Sequence, residues 1–312
     1  MIRLRRFIVS ISVASLLIVS GSLLAQDSGL EPRGFHTVAP SDSSACTPDC
    51  PPTTGAILYH FGPVILKTFR MYLIWYGSWS SADRAILTDF LDYAGGSGYY
   101  NINTLYSQAG PVASVSNKVS DSNPEAFDTS YSFGKNLTQN NVVNVISRAI
   151  NVTHELPADT NGLYLVISDS TVGASDGFCT QFCAYHSFGF TIVGGKALKY
   201  AFIPNPAFCP NGVRTCLTTN ITGSPNGNPA VDAMVSLMAH EIEEAATDPL
   251  FSAWYDATGA ENADKCINNY GPTFPPGGGV ANMTLGARNF LIQRNWRPDG
   301  DQNTNRCFIS FP

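Results

Sequence analysis

Short apolar runs along residues 56–312 predict the strands of a β-sheet. Residues 71–76 are apolar on both faces, which is typical of a strand in the interior of a sheet. Other runs rich in β-branched and aromatic residues predict strands at 163–167, 188–193, 199–203 and 307–311. We expect these strands to form a mixed sheet.

Three segments repeat apolar residues at the spacing of an α-helix. The first follows Ser80, a helix-capping residue with Asp83 three positions later, and the second covers residues 141–151. The third and longest begins at Pro229, a favoured first helical position, and ends at about residue 247. Together with the strands, these helices predict a single α+β domain over residues 56–312.

The N-terminus predicts export. Three arginines precede an apolar run over residues 7–24, so residues 1–25 are predicted to be a signal peptide that is cleaved near Ala25. Because this run is nearly long enough to cross a bilayer, a membrane anchor is the alternative. Residues 26–55 are rich in Ser and Pro without apolar periodicity, which predicts a flexible leader. We expect a protein secreted to the extracellular space or cell wall, with no membrane association after cleavage.

Composition and charge exclude some partners. The 312-residue chain is only 13% charged and carries a formal net charge of -6. Removal of residues 1–25 takes away three bases and no acid, which leaves 15 basic against 24 acidic residues. Such an acidic protein is not expected to bind nucleic acid through bulk charge.

Cysteines and glycosylation sequons fit the secretory route. Eight cysteines in an exported chain favour disulfide bonds over thiol chemistry. Other connectivities stay open, but the spacing favours the local pairs Cys46–Cys50, Cys179–Cys183, Cys209–Cys216 and Cys266–Cys307. In a eukaryotic host, N-x-S/T sequons predict glycosylation at Asn136, Asn151, Asn220 and Asn282.

The longest predicted helix carries the sequence His-Glu-Ile-Glu-Glu at residues 240–244. His240 and Glu244 lie one turn apart on one helix face, which suits a shared metal ion. The pattern is the zincin motif HExxH with Glu in place of the second His, and a carboxylate is an acceptable zinc ligand. Glu241 would be the general base that takes a proton from zinc-bound water, whereas Glu243 would point away. The motif predicts a zincin-like domain with zinc as cofactor and a peptide or protein substrate.

A third zinc ligand is expected in the loop beyond this helix. Glu261 is the preferred candidate, and Asp264 could replace it or orient His240 through the other ring nitrogen. His186 could reach the same cleft as a substrate-binding or ligand group, although a structural hydrogen-bonding role is favoured for a lone histidine. The competing interpretation is that the helix is acidic and solvated and that both loop acids lie at the surface.

The segment Gly-Ala-Ser-Asp-Gly at residues 173–177 also fits GxSxG, the nucleophile-elbow pattern of serine hydrolases. No helical pattern follows Ser175, and a triad in the required chain order would have to use Asp232 and His240. A serine hydrolase is therefore disfavoured.

Several segments resemble one protein family. The sequences YHFGP at 59–63 and LIWYG at 73–77, and the loop 177–183 followed by His186, are similar to the plant Exordium, or phosphate-induced protein 1, family of secreted extracellular-matrix proteins. The similarity extends from about residue 56 to the C-terminus, and we expect a branch that retains the HExxE helix.

Two functions follow from the motif and the resemblance. One is a zinc-dependent peptidase, and the other is a non-catalytic extracellular or wall-associated protein whose metal site is structural or vestigial. A metal with three protein ligands and a water would indicate catalysis, whereas a fourth protein ligand would close the site.

Overall fold

A computed structural model describes residues 55–108, 113–210, 216, 223–277, 279–299 and 306–312. In these residues the main sheet has six strands: β1 (Phe69–Tyr76), β2 (Val119–Ser120), β3 (Ala126–Asp128), β4 (Gly162–Ser168), β5 (Tyr185–Val193) and β6 (Lys196–Pro204). Their spatial order is β5-β6-β4-β1-β2, and β3 also pairs with β1. β5 and β6 are antiparallel, whereas the other pairs are parallel, which confirms the mixed sheet.

The described residues contain three α-helices: α1 (Ser81–Ala94), α2 (Gln139–Asn151) and α3 (Pro229–Thr247). As predicted, Ser80 caps α1 by accepting a hydrogen bond from the backbone N–H of Asp83 at 3.0 Å. α2 begins two residues earlier than predicted, because Thr138 forms a capping box in front of it. α3 has the predicted bounds, and the side chain of Asn228 caps its first turn.

β1 and β4 form the centre of the main sheet. β4 is buried throughout, and β1 is exposed only at Arg70. In the chain, α1 lies between β1 and β2, and α2 lies between β3 and β4, as helical crossovers between parallel strands. The apolar pattern did not reveal this parallel pairing, which brings the predicted α+β class closer to an α/β arrangement.

Short elements complete the described part of the chain. Three 3-10 helices cover Tyr100–Leu105, Pro206–Phe208 and Asp264–Cys266. Antiparallel ladders join Leu58–Tyr59 to Trp254–Tyr255, Ser107–Gln108 to Ala113–Ser114, Met283–Leu285 to Arg288–Phe290, and Asn295–Trp296 to Cys307–Phe308. A parallel ladder joins Asn136–Leu137 to Gly173–Ala174. No helix begins directly after Ser175, so the nucleophile elbow is not formed.

α3 is the most deeply buried helix of the described residues. It packs against α1, β5 and β6, and every residue after Pro229 is buried. The sequence predicts burial of one apolar face, but here the acidic positions are enclosed as well. The side chains of α3 therefore have to find their polar partners inside the protein.

Disulfide bonds tie two loops to the fold. The bonded pairs among the described residues are Cys179–Cys209, Cys183–Cys216 and Cys266–Cys307. The last pair was predicted, whereas the local pairs Cys179–Cys183 and Cys209–Cys216 are wrong. The loop 177–183 lies against the segment that follows β6, as shown by the stacked rings of Phe178 and Phe208 at 6.0 Å. This contact brings each cysteine of the loop to a distant partner.

Some predictions concern residues outside the described part of the chain. They are the signal peptide at 1–25, the leader at 26–55 apart from Gly55, the Cys46–Cys50 pair and the sequon at Asn220. Within the described residues, none of the helices combines the length and the apolar character that a bilayer span requires.

The remaining sequons differ in their surroundings. Asn136 and Asn151 are exposed, and glycosylation there stays a prediction. The side-chain amide of Asn282 donates to the carbonyls of Tyr270 and Ile292, both at 2.7 Å. A glycan at Asn282 would have to replace these bonds, and glycosylation there also stays a prediction.

We expect peptide mapping of the non-reduced protein to recover Cys179 linked to Cys209 and Cys183 linked to Cys216. The bonds span sequence separations of 30 and 33 residues. Loop-closure entropy predicts a loss of roughly 3–4 kcal/mol of stability on removal of either bond. Cys209→Ser should therefore unfold at a lower denaturant concentration than the unaltered protein. A recovered Cys179–Cys183 peptide would contradict the crossed pairing.

Candidate metal centre

Three parts of the fold bring six ionisable side chains together at one face of α3. α3 supplies two acids and one imidazole, β5 supplies the second imidazole, and the loop after α3 supplies two more acids. We call this set the buried cluster: His186, His240, Glu241, Glu244, Glu261 and Asp264. Five of these residues are at most 1% exposed, and only the side chain of Asp264 reaches 14%.

The first half of the buried cluster is centred on His240. Its Nε2 atom lies 2.9 Å from Glu244 Oε1 and 3.5 Å from Asp264 Oδ1. The backbone N–H of Asp264 donates to Glu244 Oε1 at 3.1 Å, and that of Glu261 donates to Asp264 Oδ2 at 3.0 Å. Atoms that share one zinc ion at about 2.0–2.1 Å lie roughly 3.3 Å apart. His240, Glu244 and Asp264 thus have the spacing of a metal-binding group.

The second half is centred on His186, which β5 places beside the same helix. His186 Nδ1 lies 3.3 Å from both Glu241 Oε2 and Glu244 Oε2, and its Nε2 lies 3.7 Å from Glu261 Oε2. The ring of Phe251 covers the imidazole at a centroid distance of 5.0 Å. His186, Glu244 and Glu261 form a second group whose ligand atoms could hold a metal ion, and Glu244 belongs to both groups.

Several atoms of the buried cluster lack hydrogen-bond partners. They are His186 Nε2, Glu241 Oε1, Glu244 Oε2 and both carboxylate oxygens of Glu261. Buried polar atoms in folded proteins are nearly always hydrogen-bonded, so a concentration of unsatisfied atoms needs an explanation. Four of the five are carboxylate oxygens, which are ligands for a cation. The residues present therefore fit a bound metal ion.

The electrostatics of the buried cluster are dominated by desolvation. Burial raises the pKa of Glu241 to about 7. Burial, together with the nearby charge of Glu244, also raises the pKa of Glu261 well above its usual value. Burial opposes the ionisation of Glu244, but the charge of His240 and the nearby imidazole of His186 hold its pKa at about 2. Glu244 is thus the carboxylate that stays ionised at the centre of the cluster.

The structure revises the predicted ligand set. Asp264, the alternative candidate, joins His240 and Glu244, whereas Glu261, the preferred third ligand, groups with His186. The loop acids are not surface groups, and α3 is not a solvated helix, so the competing interpretation is wrong. His186 is enclosed, which suits a metal ligand better than a residue that contacts substrate.

Glu243 also differs from its expected environment. It does not face the buried cluster, but it is 1% exposed rather than solvated. Its Oε2 accepts a hydrogen bond from Asn295 Nδ2 at 2.5 Å. Burial raises its pKa well above the usual value. No local pattern could predict this environment, because Asn295 lies 52 residues further along the chain.

Comparison with known proteins assigns the chain to a family. Residues 57–302 match the model described as phosphate-induced protein 1 conserved region, so the chain belongs to this family. It is 34% identical over 236 residues to Protein EXORDIUM-like 3 of Arabidopsis thaliana, covering 68% of this chain and 69% of the relative. No solved structure matches the chain.

Two further relatives agree. The chain is 32% identical over 279 residues to Protein EXORDIUM-like 5 of Arabidopsis thaliana, covering 77% of this chain and 75% of the relative. It is 26% identical over 251 residues to Protein PHOSPHATE-INDUCED 1 of Nicotiana tabacum, covering 72% and 76% respectively. The resemblance seen in the sequence is thereby confirmed.

We expect Glu243→Gln to raise stability at pH 7 by about 1 kcal/mol. The amide oxygen can keep the hydrogen bond from Asn295, while the neutral group avoids the desolvation of a carboxylate. Chemical denaturation monitored by circular dichroism measures the change. Asn295→Ala is the matched comparison, and it should destabilise the protein because it leaves Glu243 without this donor. A Glu243→Gln protein less stable than Asn295→Ala would show that the carboxylate itself is required.

Proposed function

We propose that this chain is a secreted zinc-binding protein whose metal centre lies in the buried cluster. The observation that carries the proposal is the metal-ligand spacing of His240, Glu244 and Asp264. His240, Glu244 and Asp264 would hold the ion, and imidazole with carboxylate is a ligand set that zinc accepts. The disulfides support the secreted location, since such bonds persist in oxidising compartments.

A closed centre that stabilises the fold is the role that this geometry supports best. A catalytic zinc keeps a coordination position open for water, whereas a structural zinc is enclosed by protein ligands. Here His240 and Glu244 are fully buried, and further carboxylates lie beside them. The metal would then join α3 to the loop at 261–264 and offset the charge of the carboxylates between them.

Hydrolysis of peptide bonds is the second candidate, and the position of Glu241 favours it. Glu241 follows His240 on α3, its Oε1 lacks a hydrogen-bond partner, and burial raises its pKa to about 7. A bound zinc would supply an acidic water and polarise a carbonyl. Glu241 would hold the abstracted proton at Oε1 and deliver it to the leaving amine. Substrate entry requires movement of the groups that cover the cluster, of which Phe251 is one.

Zinc binding to the full mature chain tests the main proposal. After chelation and reloading, zinc at about 100 times its Kd should stabilise the protein by about 2.7 kcal/mol, measured as a rise in unfolding temperature. His240→Ala should lose this gain and bind zinc at least about 100-fold more weakly, because a direct ligand matters at least as much as an outer-shell partner. His154→Ala is the matched control, since His154 is exposed and lies outside the cluster. Equal zinc affinity in both variants would refute the assignment.

Glu241→Gln separates the two candidate roles. If the protein is a peptidase, this variant should keep its zinc and lose roughly 10²- to 10⁴-fold in activity, because an amide cannot accept the proton. Glu243→Gln is the control on the same helix and should retain activity. If the zinc-loaded unaltered protein cleaves nothing in a broad peptide library, hydrolysis of these substrates is excluded and the closed centre stands.

A further inference from the structure

We propose that the buried cluster binds two divalent cations that share Glu244 as a bridging ligand. The inference rests on the proposed function, because one of the two positions is the His240 centre described above. The second position is formed by His186, Glu244 and Glu261. Both ions are assigned as zinc, since each group combines imidazole nitrogen with carboxylate oxygen.

The two oxygens of Glu244 face different partners. Oε1 lies 2.9 Å from His240 Nε2 and accepts the backbone N–H of Asp264 at 3.1 Å. Oε2 lies 3.3 Å from His186 Nδ1 and has no hydrogen-bond partner. One carboxylate thus extends into both groups, which is the placement that a bridging carboxylate needs.

Each half of the buried cluster has its own imidazole and its own loop carboxylate. His240 pairs with Asp264, and His186 pairs with Glu261. A single ion at His240 would not need His186 and Glu261 as ligands. These two residues nevertheless contain most of the unsatisfied atoms. His186 Nε2 and both oxygens of Glu261 are buried without hydrogen-bond partners. These atoms indicate a ligand of their own.

Metal stoichiometry of the full mature chain tests the second position. The protein is stripped with a chelator, dialysed against zinc and measured by mass spectrometry of the metal and by titration calorimetry. The unaltered chain should hold two zinc ions, and Glu261→Gln should hold one, with at least about a 10-fold loss of affinity at the second position. Glu243→Gln is the matched control because it neutralises a buried acid of α3 outside the cluster, and it should hold two.

The number of zinc ions bound per chain distinguishes the possible outcomes. One zinc in the unaltered chain, unchanged in Glu261→Gln and lost in His240→Ala, would overturn the second position and leave the proposed function intact. No zinc in the unaltered chain would overturn both. His186→Ala should also reduce two ions to one, and if that variant does not fold, the nearly isosteric Glu261→Gln decides the question. Glu244→Gln should weaken both positions, and a loss of only one ion there would refute the shared ligand.

Discussion

α3 carries its acidic side chains into the interior of the protein, where each of them needs a polar partner. A carboxylate taken out of water must find an opposite charge or hydrogen-bond donors, or else bind a proton. On one side of α3, Glu243 meets Asn295. On the other, Glu244 meets two imidazoles and a backbone N–H. The loop after α3 therefore has to fold back onto the helix rather than extend into solvent.

A dense set of bonds holds that loop in place. Cys266 is bonded to Cys307 directly after the ligand segment. Gln293 Nε2 donates to the carbonyl of Ala263 at 2.8 Å, and Asn262 Nδ2 contacts the carbonyl of Glu243 at 3.4 Å. Because the loop is fixed independently of any ion, its carboxylates are held near α3 in advance. Such preorganisation is expected to favour metal binding.

The parts of the site that depend on local sequence could be predicted, and the parts that depend on distant pairing could not. Pro229 defined the start of the long helix, and the spacing of His240 and Glu244 placed both side chains on one of its faces. The partnership of His186 with Glu241 joins residues 55 positions apart, and nothing in a periodic pattern specifies it. The predicted local disulfide pairs were wrong for the same reason. Short spacing favours a local pair only if no other cysteine-bearing segment packs nearby. His186 stood out in the sequence only as a lone histidine beyond a cysteine-bearing loop.

A site that holds a metal ion tightly has to stay closed, whereas a site that admits a substrate has to open. Glu241 can act as a base only through an oxygen that is free of other partners, and Oε1 meets that condition. Its Oε2 lies 3.3 Å from His186, so any movement that opens the cluster on this side also disturbs the second metal-binding group. Opening on the other side would pull on a loop anchored by the Cys266–Cys307 bond. The bonds that preorganise the proposed metal site thus also oppose its opening, which is why a closed role follows more directly from this fold than a hydrolytic one.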